Sequence, residues 1–142
     1  MPFIDWIASY DIGNPHIDAQ HRHLVDLANT LHDAAKAGES TQVLGPALRA
    51  LADYVRAHFR AEEELAARYA PDELPVQRAT HANLVKKLKD VLCISNSQPQ
   101  RASLELCALV KTWLIKHVLV VDKRLACHLP AAPAEGRAED AA

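Results

Sequence analysis

The sequence predicts an all-α chain, an antiparallel up-down four-helix bundle with an extended N-terminal arm. Two observations predict it. Apolar residues recur at helical spacing along four long segments, and short breaks carrying Gly, Pro, Asn or Ser separate those segments. The chain also holds only four Gly and eight Pro, with the Pro clustered outside the periodic stretches. At 142 residues it reads as one domain, residues 1–130, long enough to bury a core without disulfides.

The elements follow in order. Residues 1–15 carry Phe3, Ile4, Trp6, Ile7 and Tyr10 before Gly13-Asn14-Pro15, and read as an arm packing aromatic side chains on the body. Asp18 is the expected N-cap of the first helix, whose face is His21, Leu24, Leu27, Ala28 and Leu31. Gly38 ends it. The second helix begins near Glu39-Ser40-Thr41 and runs to about Tyr69, with Pro46 in its first turns, where a missing N–H costs little. The third runs from about Glu73 to Leu92, with Gln77, His81, Leu84, Leu88 and Val91 on one face. A polar loop over 94–100 leads to the fourth, from about Arg101 to Leu129, with Leu106, Val110, Trp113, His117 and Val120 on its face. Residues 131–142, small and polar, read as a disordered tail or a linker.

The second helix poses the chemical question. Its apolar seam is Leu44, Leu48, Leu51, Val55, His58, Glu62, Leu65, in steps of 4 and 3. An imidazole and a carboxylate one turn apart therefore lie in a core-facing stripe. Burying them bare costs several kcal/mol, and a metal ion is the obvious compensation. The other helices offer partners: His21 on the first, His81 on the third, His117 on the fourth. One core histidine is ordinary, but one on each of four apolar stripes is not. His16, His23, His32 and His128 lie at helix ends or off the stripes and read as surface or satisfied residues. Asp122 follows His117 by five residues, about 140° round an α-helix, and joins the set only if the helix widens locally, as at a π-bulge.

Residue type narrows the metal. Cys93, Cys107 and Cys127 are an odd number without a CxxC, so they read as small buried or half-buried thiols, not as a disulfide framework or structural zinc ligands. Neither HExxH nor a Glu-x-x-His pair is present. Mixed imidazole and carboxylate donors suit iron, manganese or zinc, and bridging carboxylates suit two ions. Hydrophobic residues make 49% of the chain, charged ones 24%, and net charge is −2 with Lys and Arg scattered. That gives no basic patch for nucleic acid or an anionic membrane, and no apolar run approaches a membrane span. The N-terminus lacks a signal-peptide layout, so cytoplasmic residence is the default expectation.

With these residues in hand the chain resembles the bacterial hemerythrins. The matching pieces are the arm from Trp6 to Gly13, Ile17-Asp18-Ala19-Gln20-His21, His58-Phe59-Arg60-Ala61-Glu62-Glu63, the His81 region, and Trp113-Leu114-Ile115-Lys116-His117 followed by Asp122. The resemblance implies two iron ions, Fe2+ or Fe3+, joined by an oxo or hydroxo bridge and binding O2 or another small diatomic or anion. It assigns His21 and His58 to one iron, His81 and His117 to the other, and Glu62 and Asp122 to bridging. Leu24, Phe59, Trp113 and Val118 fall where the family lines its apolar O2 pocket.

One position departs. The family carries His-x-x-x-His on the third helix, and this chain has Gln77 four residues before His81. A carboxamide is a weak ligand, so the second iron is expected to be held less tightly, to be open to exogenous ligands, and to give a shorter-lived O2 adduct. His16 is a candidate stand-in for the missing imidazole. Three functions compete. The leading one is a di-iron O2-binding protein, read slightly more as a sensor, fused to or partnered with a signalling domain such as a diguanylate cyclase, than as a store or carrier. The second is a di-iron enzyme acting on NO or peroxide, against which Glu63 and Glu64 read as solvated helix charges rather than a general acid. The third is an interaction module with a degraded site.

Overall fold

In the computed structural model, residues 2–130 are described; the expected tail or linker at 131–142 lies outside them. Four long helices form: α1 Pro15–Lys36, α2 Thr41–Tyr69, α3 Leu74–Cys93 and α4 Pro99–Trp113. The last continues as a nine-residue π-helical segment, Leu114–Asp122, and closes with the short α5, Lys123–Ala126. No strand occurs among the described residues. α1 packs on α2 and α4, and α3 packs on α2 and α4, which closes the antiparallel bundle.

Local chemistry sets the ends. α1 is capped by Asn14, whose side chain accepts from Ile17 N at 3.1 Å, with Pro15 opening the helix. Asp18 is therefore not the N-cap; inside the first turn, its carboxylate accepts from Ile12 N at 2.8 Å and Gly13 N at 3.3 Å. The helix begins before the cap expected from sequence because Asn14-Pro15 is the better start signal. Gly38, at φ +74°, ends α1, its N–H donating to Ala35 O. Pro46 sits inside α2 as its sixth residue and leaves the exposed Gln42 carbonyl to solvent. A 3-10 turn, Pro71–Glu73, precedes α3, and Pro99 starts α4 earlier than expected.

The interior divides along its length. One end is dry, built on Leu31, Leu44, Leu48, Leu51, Leu88 and Leu106, all at most 2% exposed. The other holds the polar groups and is closed beneath them by Ala66, Ala70 and Leu125. Arg124 Nη2 donates to Glu73 Oε2 at 3.2 Å and ties α5 to the turn before α3. Val120 does not lie on the inner face: widening the helix turns it out to 56% exposure. Cys107 is buried, its thiol donating to Ala28 O, but Cys93 and Cys127 are exposed, contrary to the expectation of buried or half-buried thiols, because both sit at helix ends.

The arm is stapled rather than merely packed. Ile4 N donates to Asn29 Oδ1 and Asn29 Nδ2 donates back to Ile4 O, both at 2.8 Å. Phe3 stacks on His32 at 4.1 Å, and Arg22 lies over the Trp6 ring. Ile7 is 49% exposed where the arm turns into a 3-10 segment, Ala8–Tyr10. Asn29→Ala removes both bonds and leaves two Ile4 backbone groups unpaired. It is expected to lower stability by about 1–3 kcal/mol and to speed proteolysis of the arm; denaturant titration and limited digestion measure the two effects.

Candidate metal centre

Every helix brings a polar side chain to one buried spot. α1 gives His21, α2 gives His58 and Glu62, α3 gives Gln77 and His81, and the π segment gives His117 and Asp122. His21, Glu62, Gln77 and Asp122 are fully buried, and His117, the most exposed, is at 7%. Five residues separate His117 from Asp122, and the i→i+5 pattern of a π-helix brings such residues onto one face where an α-helix would splay them. The widening weighed from sequence is present, as a whole segment rather than a single bulge.

The two carboxylates sit between two imidazole pairs, one oxygen to each side. Glu62 Oε2 lies 3.4 Å from His21 Nε2 and 3.3 Å from His58 Nε2. Its Oε1 lies 3.1 Å from His81 Nε2 and 3.8 Å from His117 Nε2. Asp122 repeats the division, with Oδ2 3.2 Å from His21 Nε2 and Oδ1 2.9 Å from His117 Nε2. Two groups of four potential ligands result, His21, His58, Glu62, Asp122 and Glu62, His81, His117, Asp122, with the carboxylates common to both.

The donor set fits two cations. Ligands about 2.1 Å from an ion and at right angles stand about 3.0 Å apart, close to the separations seen. His81 Nε2 and His117 Nε2 face one another at 3.1 Å; with the His81 proton on Nδ1 towards Glu63, that approach needs a proton on His117 or an ion between the two. His58 Nε2 and Asp122 Oδ2 are buried without a hydrogen-bond partner although each has a group of opposite character within 3.3 Å. Their lone pairs do not address each other, as expected of donors aimed at an intervening ion.

Two outer partners, neither singled out from sequence, orient the rings. His58 Nδ1 donates to Gln20 Oε1 at 2.6 Å, and His81 Nδ1 donates to Glu63 Oε2 at 2.9 Å. Each bond fixes the tautomer that leaves Nε2 free to bind metal. Glu63 is thus no solvated charge: α2 turns it towards α3, where it meets His81 and, at 3.7 Å, Arg78. Its place directly after Glu62 was the available signal. His16 does not stand in for a ligand; it is exposed on the first turn of α1, against Gln20 Nε2. Leu24, Phe59, Trp113 and Val118 are all buried beside the centre. Phe59 stacks on His81 at 4.0 Å, and Trp113 meets His21 edge-on at 5.2 Å.

Electrostatics follow from burial. Burial opposes charge on His21, but the Asp122 and Glu62 carboxylates against its ring outweigh it and raise its pKa to about 9. His117 is opposed by burial and raised to about 9 by the same two carboxylates. Burial disfavours the Glu62 carboxylate, yet the charge of His58 and the close imidazoles of His117 and His21 hold it well below the usual range. Without metal, protons on His21 and His117 take the place of cations.

The sequence profile described as "Hemerythrin HHE cation binding domain" matches residues 13–129. A bacteriohemerythrin of Methylococcus capsulatus is 29% identical over 124 residues, spanning 87% of this chain and 94% of its own. A hemerythrin-like protein of Naegleria gruberi is 30% identical over 123 residues, spanning 87% of this chain and 90% of its own. Among solved structures, a hemerythrin point variant superposes with a TM-score of 0.79 at 28% identity, covering 91% of this chain and 98% of that one.

Two outcomes are expected. Because the raised imidazoles are protonated below about pH 9, loading at neutral pH should release about two protons per chain. Metal affinity should climb as pH rises towards 9 and then level off; calorimetry in buffers of different ionisation enthalpy reads both. Glu63→Ala unties His81 and should weaken metal affinity by about 10–100-fold, measured by competition with a chromophoric chelator.

Proposed function

This chain belongs to the hemerythrin family, a class of di-iron, O2-binding four-helix bundles, and from that premise we propose that it serves as an O2-responsive binding domain rather than a long-term O2 store. His21 and His58 hold one iron, His81 and His117 hold the other, and Glu62 and Asp122 bridge the pair. The observation that carries this assignment is the division of the two carboxylates, one oxygen of each towards either imidazole pair. When bound, the iron pair supplies the reducing electrons and the open coordination position that O2 requires.

The protein's own part is to orient, enclose and hold. Gln20 and Glu63 keep Nε2 of His58 and His81 free for metal. Leu24, Phe59, Trp113 and Val118 form an apolar wall that admits a neutral diatomic and keeps bulk water away. Gln77 supports the responsive reading. Its Nε2 donates to Asp122 Oδ1 at 2.9 Å, so it positions the bridge and brings no third imidazole to the His81 and His117 side. A less shielded iron shortens the life of an adduct, which a sensor tolerates and a store does not. On this reading the signal passes to a signalling domain, in the same chain or in another. The runner-up, turnover of NO or peroxide, draws on the same Gln77 feature and differs by consuming its ligand.

Anaerobic iron loading is expected to give two irons per chain and, on adding O2, a visible charge-transfer band. Glu62→Ala should abolish both. Gln77→His should lengthen the life of the band by about tenfold in stopped-flow decay. Equal lifetimes would remove the support for sensing over storage, and catalytic loss of NO or peroxide would favour the enzyme.

A further inference from the structure

The two ion positions have equal numbers of protein donors but unequal surroundings. Each is offered two imidazoles and one oxygen from each carboxylate. His21 and His58 are at most 2% exposed and sit against Trp113. His117 is the most exposed of the donors and lines a cleft of about 190 Å³ between α3 and the end of α4 with the π segment. Trp113 lines the same cleft, with its indole Nε1 buried and unpartnered. Thr80, Asn83 and Thr112 add polar groups to the lining, and Lys87 and Lys116 add its ammonium groups. Neither lysine takes part in the ion pairs formed among the described residues.

Gln77 lies one turn before the cleft's Thr80 and brings a carboxamide, not a third imidazole, to that side. Its N–H is committed to Asp122, and its Oε1 is buried without a partner. A cleft with cationic groups at a low-dielectric wall concentrates anions and raises their association rates by about 10–10³-fold. We propose that this cleft is an anion entry and binding site, through which a small monoanion reaches the His81 and His117 metal position. The inference rests on the di-iron reading above. The anion enters as a ligand, with no electron transfer, and a neutral diatomic gains nothing from the lysines.

Azide is the probe, and the whole iron-loaded diferric chain is titrated with it. The expected result is two azides per iron pair and two infrared azide bands; in Gln77→His, one of each. Lys87→Glu with Lys116→Glu should slow azide association about tenfold and flatten its salt dependence, with NO association to the diferrous form unchanged. Iron content is measured in every sample. Fewer than two irons in the unaltered chain overturns both the di-iron reading and this one. Two irons with a single azide, or charge reversal that leaves azide association unchanged, overturns this one alone. Equal slowing of NO and azide also overturns it, since it would mark damage to the fold rather than a lost electrostatic path.

Discussion

Two carboxylates buried at the centre of a helical bundle are the constraint from which the rest follows. Glu62 and Asp122 are wholly withdrawn from solvent, and each must be compensated on both of its oxygens. Four imidazoles do this, two from each side, and they come from four different helical segments. The bundle is therefore arranged at this level by charge and donor geometry as well as by apolar contact. Buried polar networks of this kind add little net stability and demand full satisfaction. The dry, leucine-rich end is what makes such a centre affordable.

Delivering Asp122 takes a departure from regular secondary structure. An α-helix cannot place residues 117 and 122 on one face, so α4 gives up its hydrogen-bond pattern for nine residues. The interior groups then find their partners while Val120 is turned to solvent. Beyond the segment, the Arg124 to Glu73 bond and the Leu125 cluster fix where the chain re-enters ordinary helix. The geometry of the centre thus depends on contacts on either side of it, including a clamp that touches none of its donors.

The bundle was legible because its stripes are long and the breaks between them short. The inward-facing histidines were legible for the same reason: an imidazole at each of four core positions conflicts with burial unless something binds it. Asp122 was ambiguous, since spacing alone splayed it from His117 and only tertiary packing decides that the helix widens. Gln20 and Glu63 were not legible. Both look like solvated helix residues until α1, α2 and α3 are assembled, and their partners are 38 and 18 residues away in the chain. The α1 cap was misread because Asp18 and Asn14 are both good caps, and Pro15 decides between them. The exposure of Cys93 and Cys127 depends on where helices end, which periodicity marks least well.

The π segment also acts as a phase joint. It contains more residues than the α-helical path would need, and it lets the chain on either side keep its own angular setting. Removing a single residue there would rotate everything that follows by about 100°, swinging the bridge out of the centre and Leu125 out of its cluster together. Loops, by contrast, absorb changes of length at small entropic cost. Length variation in this architecture should therefore accumulate between α3 and α4 and be purged between Leu114 and Asp122. For anyone redesigning the protein, that stretch sets the fixed origin from which the rest of the last helix is measured.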